Sequence, residues 1–313
     1  MLNLFFLLLL TAGVLSSNVM SGESSPRICE QYRQDHNQSG HNTKARRDIP
    51  YGDGLLWEIR NAGGRVSYLF GTMHSQDRKV TSIPPPARLA LQKSRLLLME
   101  VVPDETVQQQ FIDSIYFTDG SNLQSLLDRE IYDELVFRIA DYRVTEENVW
   151  RLKPWAAFTL IGRPRPVNAA TQEQVLMRLA LNSNKTIAGL ESMQELAEAL
   201  DGIPLDDQII ILNDTVCNHT DIIRKTRDLV DMYVARDLAG IVLFNEQPHY
   251  DEAVFERFMQ RILYDRNKRM LERIAPYLEK GSAFIAIGAS HLPDDKGLLK
   301  LLENRNYTIS RIY

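Results

Sequence analysis

The chain is 313 residues long, 44% hydrophobic and 25% charged, the composition of a globular protein with a sizeable core. Its formal net charge is −5 and no block of basic residues occurs, which excludes a nucleic-acid partner held by a basic footprint.

Leu4 to Leu15 is an almost unbroken apolar run of 12 residues followed by Ser16 and Ser17, the pattern of a secretory signal's hydrophobic core and cleavage region. It is shorter than the roughly 20 residues a membrane span needs. Residues 1–21 are therefore assigned as a signal peptide, with no stable transmembrane segment after its removal. No Lys or Arg precedes Arg27, so an uncleaved N-terminal anchor is the other reading. Both predict an exported protein, periplasmic or extracellular.

Residues 22–54 are rich in Ser, Gly, Asn, Gln and Arg without apolar periodicity, and are expected to be a flexible linker in which His36 and His41 are solvated. Cys29 and Cys217 are the only cysteines. They could pair in an oxidising compartment, or stand as one exposed and one buried thiol.

Leu55-Leu-Trp-Glu-Ile59 and Arg65 to Phe70 flank the turn signal Asn61-Ala-Gly-Gly64 and read as a β-hairpin. Its second strand runs to Gly71, expected to let the chain turn sharply and present His74 beyond the strand. Pro84-Pro-Pro86 is expected to forbid a regular element, and Ala87 to Ser94 to form a short helix. Leu96-Leu-Leu-Met99 is a buried strand ending in Glu100, a carboxylate that must be exposed there or paired.

From Asp104 to about Leu152 the apolar spacing is helical, with capping-box spacing at Ser121-Asn-Leu-Gln124. Pro154 interrupts it, a helix starts at Trp155, and Thr171-Gln-Glu-Gln174 opens another. Thr186-Ile-Ala-Gly-Leu190 is a short strand ending in Glu191, and Ser192-Met-Gln-Glu195 has capping-box spacing. Glu191 then either helps that helix start or serves a site; the two readings stand level. Leu205 to Ala239 and Asp251 to Glu279 read as long helices, the second carrying Asp265-Arg-Asn267, which are solvent-facing charges unless they serve a site. Ala283-Phe-Ile-Ala-Ile287 is a further strand, and Gly288-Ala-Ser-His291 repeats the glycine-to-histidine spacing of Gly71-Thr-Met-His74. A helix near Gly297 to Glu303 and a strand at Tyr307 to Ile312 close the chain.

Strands alternating with helices imply one α/β domain over residues 55–313, with a largely parallel or mixed central sheet flanked by helices. Ligand sites in such sheets form beyond the carboxyl ends of the strands. Four runs deliver a polar group there: His74, Glu100, Glu191 and His291. Two imidazoles with carboxylates suit a divalent metal with an open position, or general acid and base chemistry without a metal.

Leu56-Trp-Glu-Ile59, Tyr68-Leu-Phe-Gly-Thr-Met-His74, Leu98-Met-Glu100, Ala188-Gly-Leu-Glu-Ser192, Asp265-Arg-Asn267 and Ile287-Gly-Ala-Ser-His-Leu292 occur in that order. In these motifs the chain resembles the TraB/GumN family, which is related to the Tiki proteases and more distantly to erythromycin esterases and a haem-binding protein of the ChaN type. The resemblance implies a metal site at His74, His291 and Glu100, with Glu100, Glu191 and Arg266 as catalytic residues. It suggests manganese or cobalt, and zinc also suits the donors. Asp265 stands where the family pattern has Glu. Two functions are compatible with this site. One is a metal-dependent hydrolase, with a peptidase acting on a peptide or protein as the first reading. The other is a non-enzymatic envelope or secreted protein that captures a peptide, haem or another ligand in the same cleft.

Overall fold

The computed structural model describes residues 27–34, 45–102, 105–247 and 249–313. The signal-like run, His36 and His41 lie outside these residues.

Six strands form one mixed sheet: β1 (Leu56–Arg60), β2 (Val66–Thr72), β3 (Leu96–Val101), β4 (Thr186–Glu191), β5 (Ala283–Gly288) and β6 (Thr308–Arg311). Their spatial order is β4-β3-β5-β2-β1-β6. The four strands β4, β3, β5 and β2 run parallel, whereas β1 pairs antiparallel with both β2 and β6. The expected hairpin is therefore present, and the terminal strand closes the sheet on the hairpin's outer side.

Parallel strands covered by helices on both faces must be apolar on both faces. Accordingly Leu97, Leu98 and Met99 of β3 and Phe284, Ile285 and Ala286 of β5 are all buried. Register brings the carboxyl ends of the parallel strands level, since Thr72 faces Gly288 and Val101 faces Glu191. Everything those ends carry is thus gathered along one edge. A second apolar cluster, with Trp155 and Phe158 at its centre, fills the space between helices Arg129–Ile139, Pro154–Ile161, Met193–Asp201 and Leu205–Cys217.

Several helices differ from expectation in ways their chemistry explains. Pro85 and Pro86 open the helix Pro85–Lys93 instead of forbidding it, because the first helical positions need no backbone donor. The stretch after Asp104 divides, with Asn122 capping a short 3₁₀ turn and Asp128 capping Arg129–Ile139, so Ser121 is not the cap. The capping boxes at Thr171 and Ser192 are both formed. The two long helical stretches also break: the first into Leu205–Cys217, His219–Val234 and Leu238–Asn245, the second at a π-turn, Gln260–Tyr264, that precedes helix Asp265–Lys280.

Within the expected linker, Ile28–Gln34 forms a helix whose Cys29 is bonded to Cys217, 188 positions away. Tyr32 of the same helix is buried and accepts a hydrogen bond from Asn213. Among the described residues no helix is long and apolar enough to cross a membrane.

A cross-link closing so long a loop stabilises chiefly by restricting the unfolded chain, by about 5 kcal/mol at most in the chain-entropy limit and about 2–5 kcal/mol in practice. Cys29→Ser should lower stability by an amount in that range, and thermal melts of the wild type with and without reductant should reproduce the loss. Equal melting temperatures in all of these would show that the bond leaves the folding equilibrium untouched.

Candidate functional site

Along the sheet's carboxyl edge the strands present Glu191 from β4, Glu100 from β3, His291 just beyond β5 and His74 just beyond β2, in that spatial order. His74, His291 and Glu100 line one cleft, together with Thr72, Met73, Glu173, Tyr233 and Ser290. Glu191 and Arg266 do not line it; they lie behind Glu100.

The inner wall is an ion cluster. Arg266 has no exposed side-chain surface, and neither carboxylate partner has more than 3%. Its Nε and Nη2 donate to Glu191 Oε2 at 2.8 and 2.7 Å, and Nη2 also donates to Glu100 Oε2 at 2.7 Å. A buried charge persists only if paired, and the planar guanidinium can face two carboxylates at once. Burial works against the positive charge, yet the two carboxylates outweigh it and hold Arg266 above its ordinary pKa. Arg269 adds a second cation 3.5 Å from Glu191 Oε1.

Asp265-Arg-Asn267 is thus not a solvent-facing set: Arg266 and Asn267 are buried and only Asp265 is exposed. The π-turn before it supplies the reason. A widened turn shifts the phase of the helix that follows, and Arg266 Nη1 donates to the carbonyl of Ile262 inside that turn at 3.3 Å.

Two glycines let these parts approach, by lacking a side chain. Gly71 lies within β2 without a positive φ, so it makes no sharp turn there. A Cβ on it would stand 3.2 Å from Leu292 and 3.3 Å from Ala289, so its absence lets the two histidine loops pack together. A Cβ on Gly288 would stand 3.0 Å from Glu100 Oε1, the oxygen that accepts the Gly288 N–H.

Each imidazole is held at Nδ1. His291 Nδ1 lies 2.6 Å from Asn267 Oδ1, and the Asn267 amide donates to the carbonyls of His291 and Lys296, which identifies Oδ1 as the acceptor. The ring hydrogen is therefore on Nδ1 and the lone pair on Nε2, 3.5 Å from Arg266 Nη1 and 3.9 Å from Glu100 Oε2. Burial first, then the adjacent Arg266, push His291 well below the ordinary imidazole pKa, so it is neutral. His74 Nδ1 lies 3.1 Å from Glu173 Oε2. Its loop is fixed as well: Gln172 Oε1 accepts from the Met73 N–H at 2.9 Å, and Tyr233 OH shares its hydrogen between that oxygen and the Gly71 carbonyl.

Sequence reasoning missed Glu173, Gln172, Tyr233 and Asn267 as parts of this edge. Glu173 and Gln172 had a signal, standing inside the Thr171-to-Gln174 capping box, but they read there as helix-start residues. Nothing local marked Tyr233.

A divalent metal is tested here on the donor set. Among the described residues no three His, Cys, Asp or Glu side chains stand together as a ready ligand group. The donors nevertheless fit in kind. Both imidazoles have Nδ1 tied to an oxygen, the arrangement that fixes a ligating histidine and leaves Nε2 as its donor. Glu100 accepts one hydrogen bond on each oxygen, from Arg266 and from Gly288, and a carboxylate has about four acceptor positions in all.

The profile of the TraB/PrgY/gumN family matches residues 55–311. Metalloprotease TIKI2 of Danio rerio is 24% identical over 311 residues, covering 82% of this chain and 60% of that protein. Metalloprotease TIKI1 of Xenopus tropicalis is 24% identical over 310 residues, covering 82% and 61%. A metalloprotease TIKI homolog of Nematostella vectensis is 20% identical over 317 residues, covering 82% and 67%. The chain thus spans about three-fifths of the length of the first two relatives. No solved structure matches.

Neutral histidines, His291 buried and His219 half-buried, make stability depend on pH. His219, at the start of helix His219–Val234, is pushed down to about 4 by burial first and then by Arg138. Below the unfolded imidazole value of about 6.5 the unfolded chain takes up protons that folded His219 and His291 refuse, so stability is full above that pH and falls beneath it. Between pH 7.5 and 5.0, a range chosen to lie above most carboxylate titration, His219 alone should account for a loss of about 1 kcal/mol once solvent screening of this half-buried ring is allowed for. Denaturant melts of the wild type, His219→Asn and His291→Asn at the two pH values measure it. Equal losses in all three would overturn the assignment of both rings as neutral.

Proposed function

The chain belongs to the TraB/PrgY/gumN family, and on that premise we propose that it is an exported metal-dependent hydrolase of peptide bonds, working in the cleft between His74 and His291. The observation that carries this reading is the pair of imidazoles facing one cleft beside Glu100, each ring pinned at Nδ1. The relatives' designation as metalloproteases supports the metal and the peptide or protein substrate. The signal-like N-terminus and the Cys29–Cys217 bond support export, since disulfides persist in oxidising compartments.

His74 Nε2 and His291 Nε2 would hold the ion, manganese or cobalt by family resemblance and zinc as the third candidate, with Glu100 beside them. A divalent ion bound there supplies a polarising charge for the scissile carbonyl and a water acidic enough to attack near neutral pH. Glu100, its carboxylate oriented by Arg266 and Gly288, would either ligate the ion or, as the base, take the water's proton at a carboxylate oxygen. Arg266 is a positioning residue, acting through Glu100, because it does not reach the cleft. Glu191 holds Arg266 and completes the charge balance of the inner wall, so it supports catalysis from outside the cleft. Asn267 keeps His291 in the Nε2-donor tautomer.

Metal analysis of the purified protein, run beside cleavage of a peptide library, tests this directly. His291→Ala should lose both metal and cleavage while staying folded, since it removes a group at a strand end and opens no large apolar cavity. Glu100→Gln should lower turnover by about 10²–10⁴-fold, with metal retained if Glu100 is the base and reduced if it is a ligand. Full cleavage by His291→Ala would end the hydrolase reading, and peptide capture without cleavage by the metal-loaded wild type would favour the binding protein instead.

A further inference from the structure

The two histidines are held by different chemistry, an amide for His291 and a carboxylate for His74. The carboxylate belongs to Glu173, in the first turn of the helix Gln172–Asn182. An acidic residue at that position ordinarily complements the helix dipole. Here the helix start is already satisfied without it, because Thr171 and Gln174 cap each other's backbone N–H groups reciprocally. Glu173 turns instead toward the end of β2, where its carboxylate meets His74 Nδ1 at 3.1 Å and the hydroxyl of Thr72. Its side chain is only 13% exposed and that of His74 17%, so the pair is shielded from water and the hydrogen bond is stronger than at a surface.

We infer that Glu173 is a positioning residue of the site: it fixes His74, which lines the cleft, with hydrogen on Nδ1 and the lone pair on Nε2. Its neighbour Gln172 does the same for the backbone, taking the Met73 N–H. One helix start therefore sets both the ring and the loop that carries it. The role in metal binding rests on the function proposed above; the role in fixing the tautomer does not.

The test uses the full mature chain with histidine ¹⁵N NMR and titration with Co²⁺ alone. In the wild type His74 should show one tautomer, protonated at Nδ1. Glu173→Met, which keeps the length and removes the acceptor, should give a mixture of tautomers and weaken Co²⁺ binding by about 10–100-fold, the usual effect of losing such a partner. Glu173→Gln retains an acceptor oxygen and should lie between the two. Gln174→Ala weakens the same helix start without touching His74, so it should lower the melting temperature and leave tautomer and Co²⁺ affinity alone. A single Nδ1–H tautomer persisting in Glu173→Met would overturn the inference, as would equal Co²⁺ weakening in Gln174→Ala. Should the wild type bind no Co²⁺, the metal reading fails, and the tautomer in Glu173→Met still decides the role of Glu173.

Discussion

The arrangement depends on one buried guanidinium. Arg266 joins the helix Asp265–Lys280 to the ends of β3 and β4, and no water-exposed surface remains to its side chain. Two carboxylates brought to adjacent strand ends would repel each other in a medium of low dielectric. With Arg266 between them the set of three carries one net negative charge, and each member supplies hydrogen bonds that the others need. Removing any one strands the rest, which is why a buried pair is worth more intact than its net contribution to stability suggests. The same constraint orders the cleft, because Glu100 cannot turn away from His291 while Arg266 and the Gly288 N–H hold its two oxygens.

Much of this edge was legible from the chain. Buried parallel strands have an apolar signature, and a polar residue that terminates such a run has few places to go, so Glu100, Glu191, His74 and His291 could be singled out without coordinates. The capping boxes at Thr171 and Ser192 are local chemistry and formed as read. Burial of Arg266 was not legible, because Asp265-Arg-Asn267 sits among charges and only the preceding π-turn decides which of them faces inward. The role of Gly71 was misread for a related reason. Its importance comes from Ala289 and Leu292, more than 200 positions later, and not from its own backbone angle. Glu173 shows the same limit, since its partner lies 99 positions earlier and its immediate context explains it as a helix-start acid.

These long-range dependencies also explain why the sheet is mixed. The parallel strands alone would place the histidine loops at the sheet's edge, with β2 unpaired on its outer side. The hairpin partner β1 and then β6 cover that side, and the backbone of the last residue, Tyr313, accepts hydrogen bonds from Leu55 and Leu56. The strand carrying His74 is thereby an interior strand, and the loop beyond it leaves a rigid element, which is the support that a site of fixed geometry needs.

The two sides of the cleft differ in what they can exchange with solvent. His291 and Glu100 are each 3% exposed, backed by Arg266 and Asn267, whereas His74 and Glu173 are several times more open. Approach is therefore from the His74 side, toward an inner wall whose charges and hydrogens are already fixed. A group entering this cleft meets the His74–Glu173 pair first and Glu100, with Arg266 behind it, last. Preorganised charge of this kind acts most strongly where water is excluded, because dipoles and ions that are already oriented need no rearrangement when new charge develops beside them. The inner wall supplies that fixed field, and the outer pair, the more exposed of the two, is the part of the cleft open to solvent.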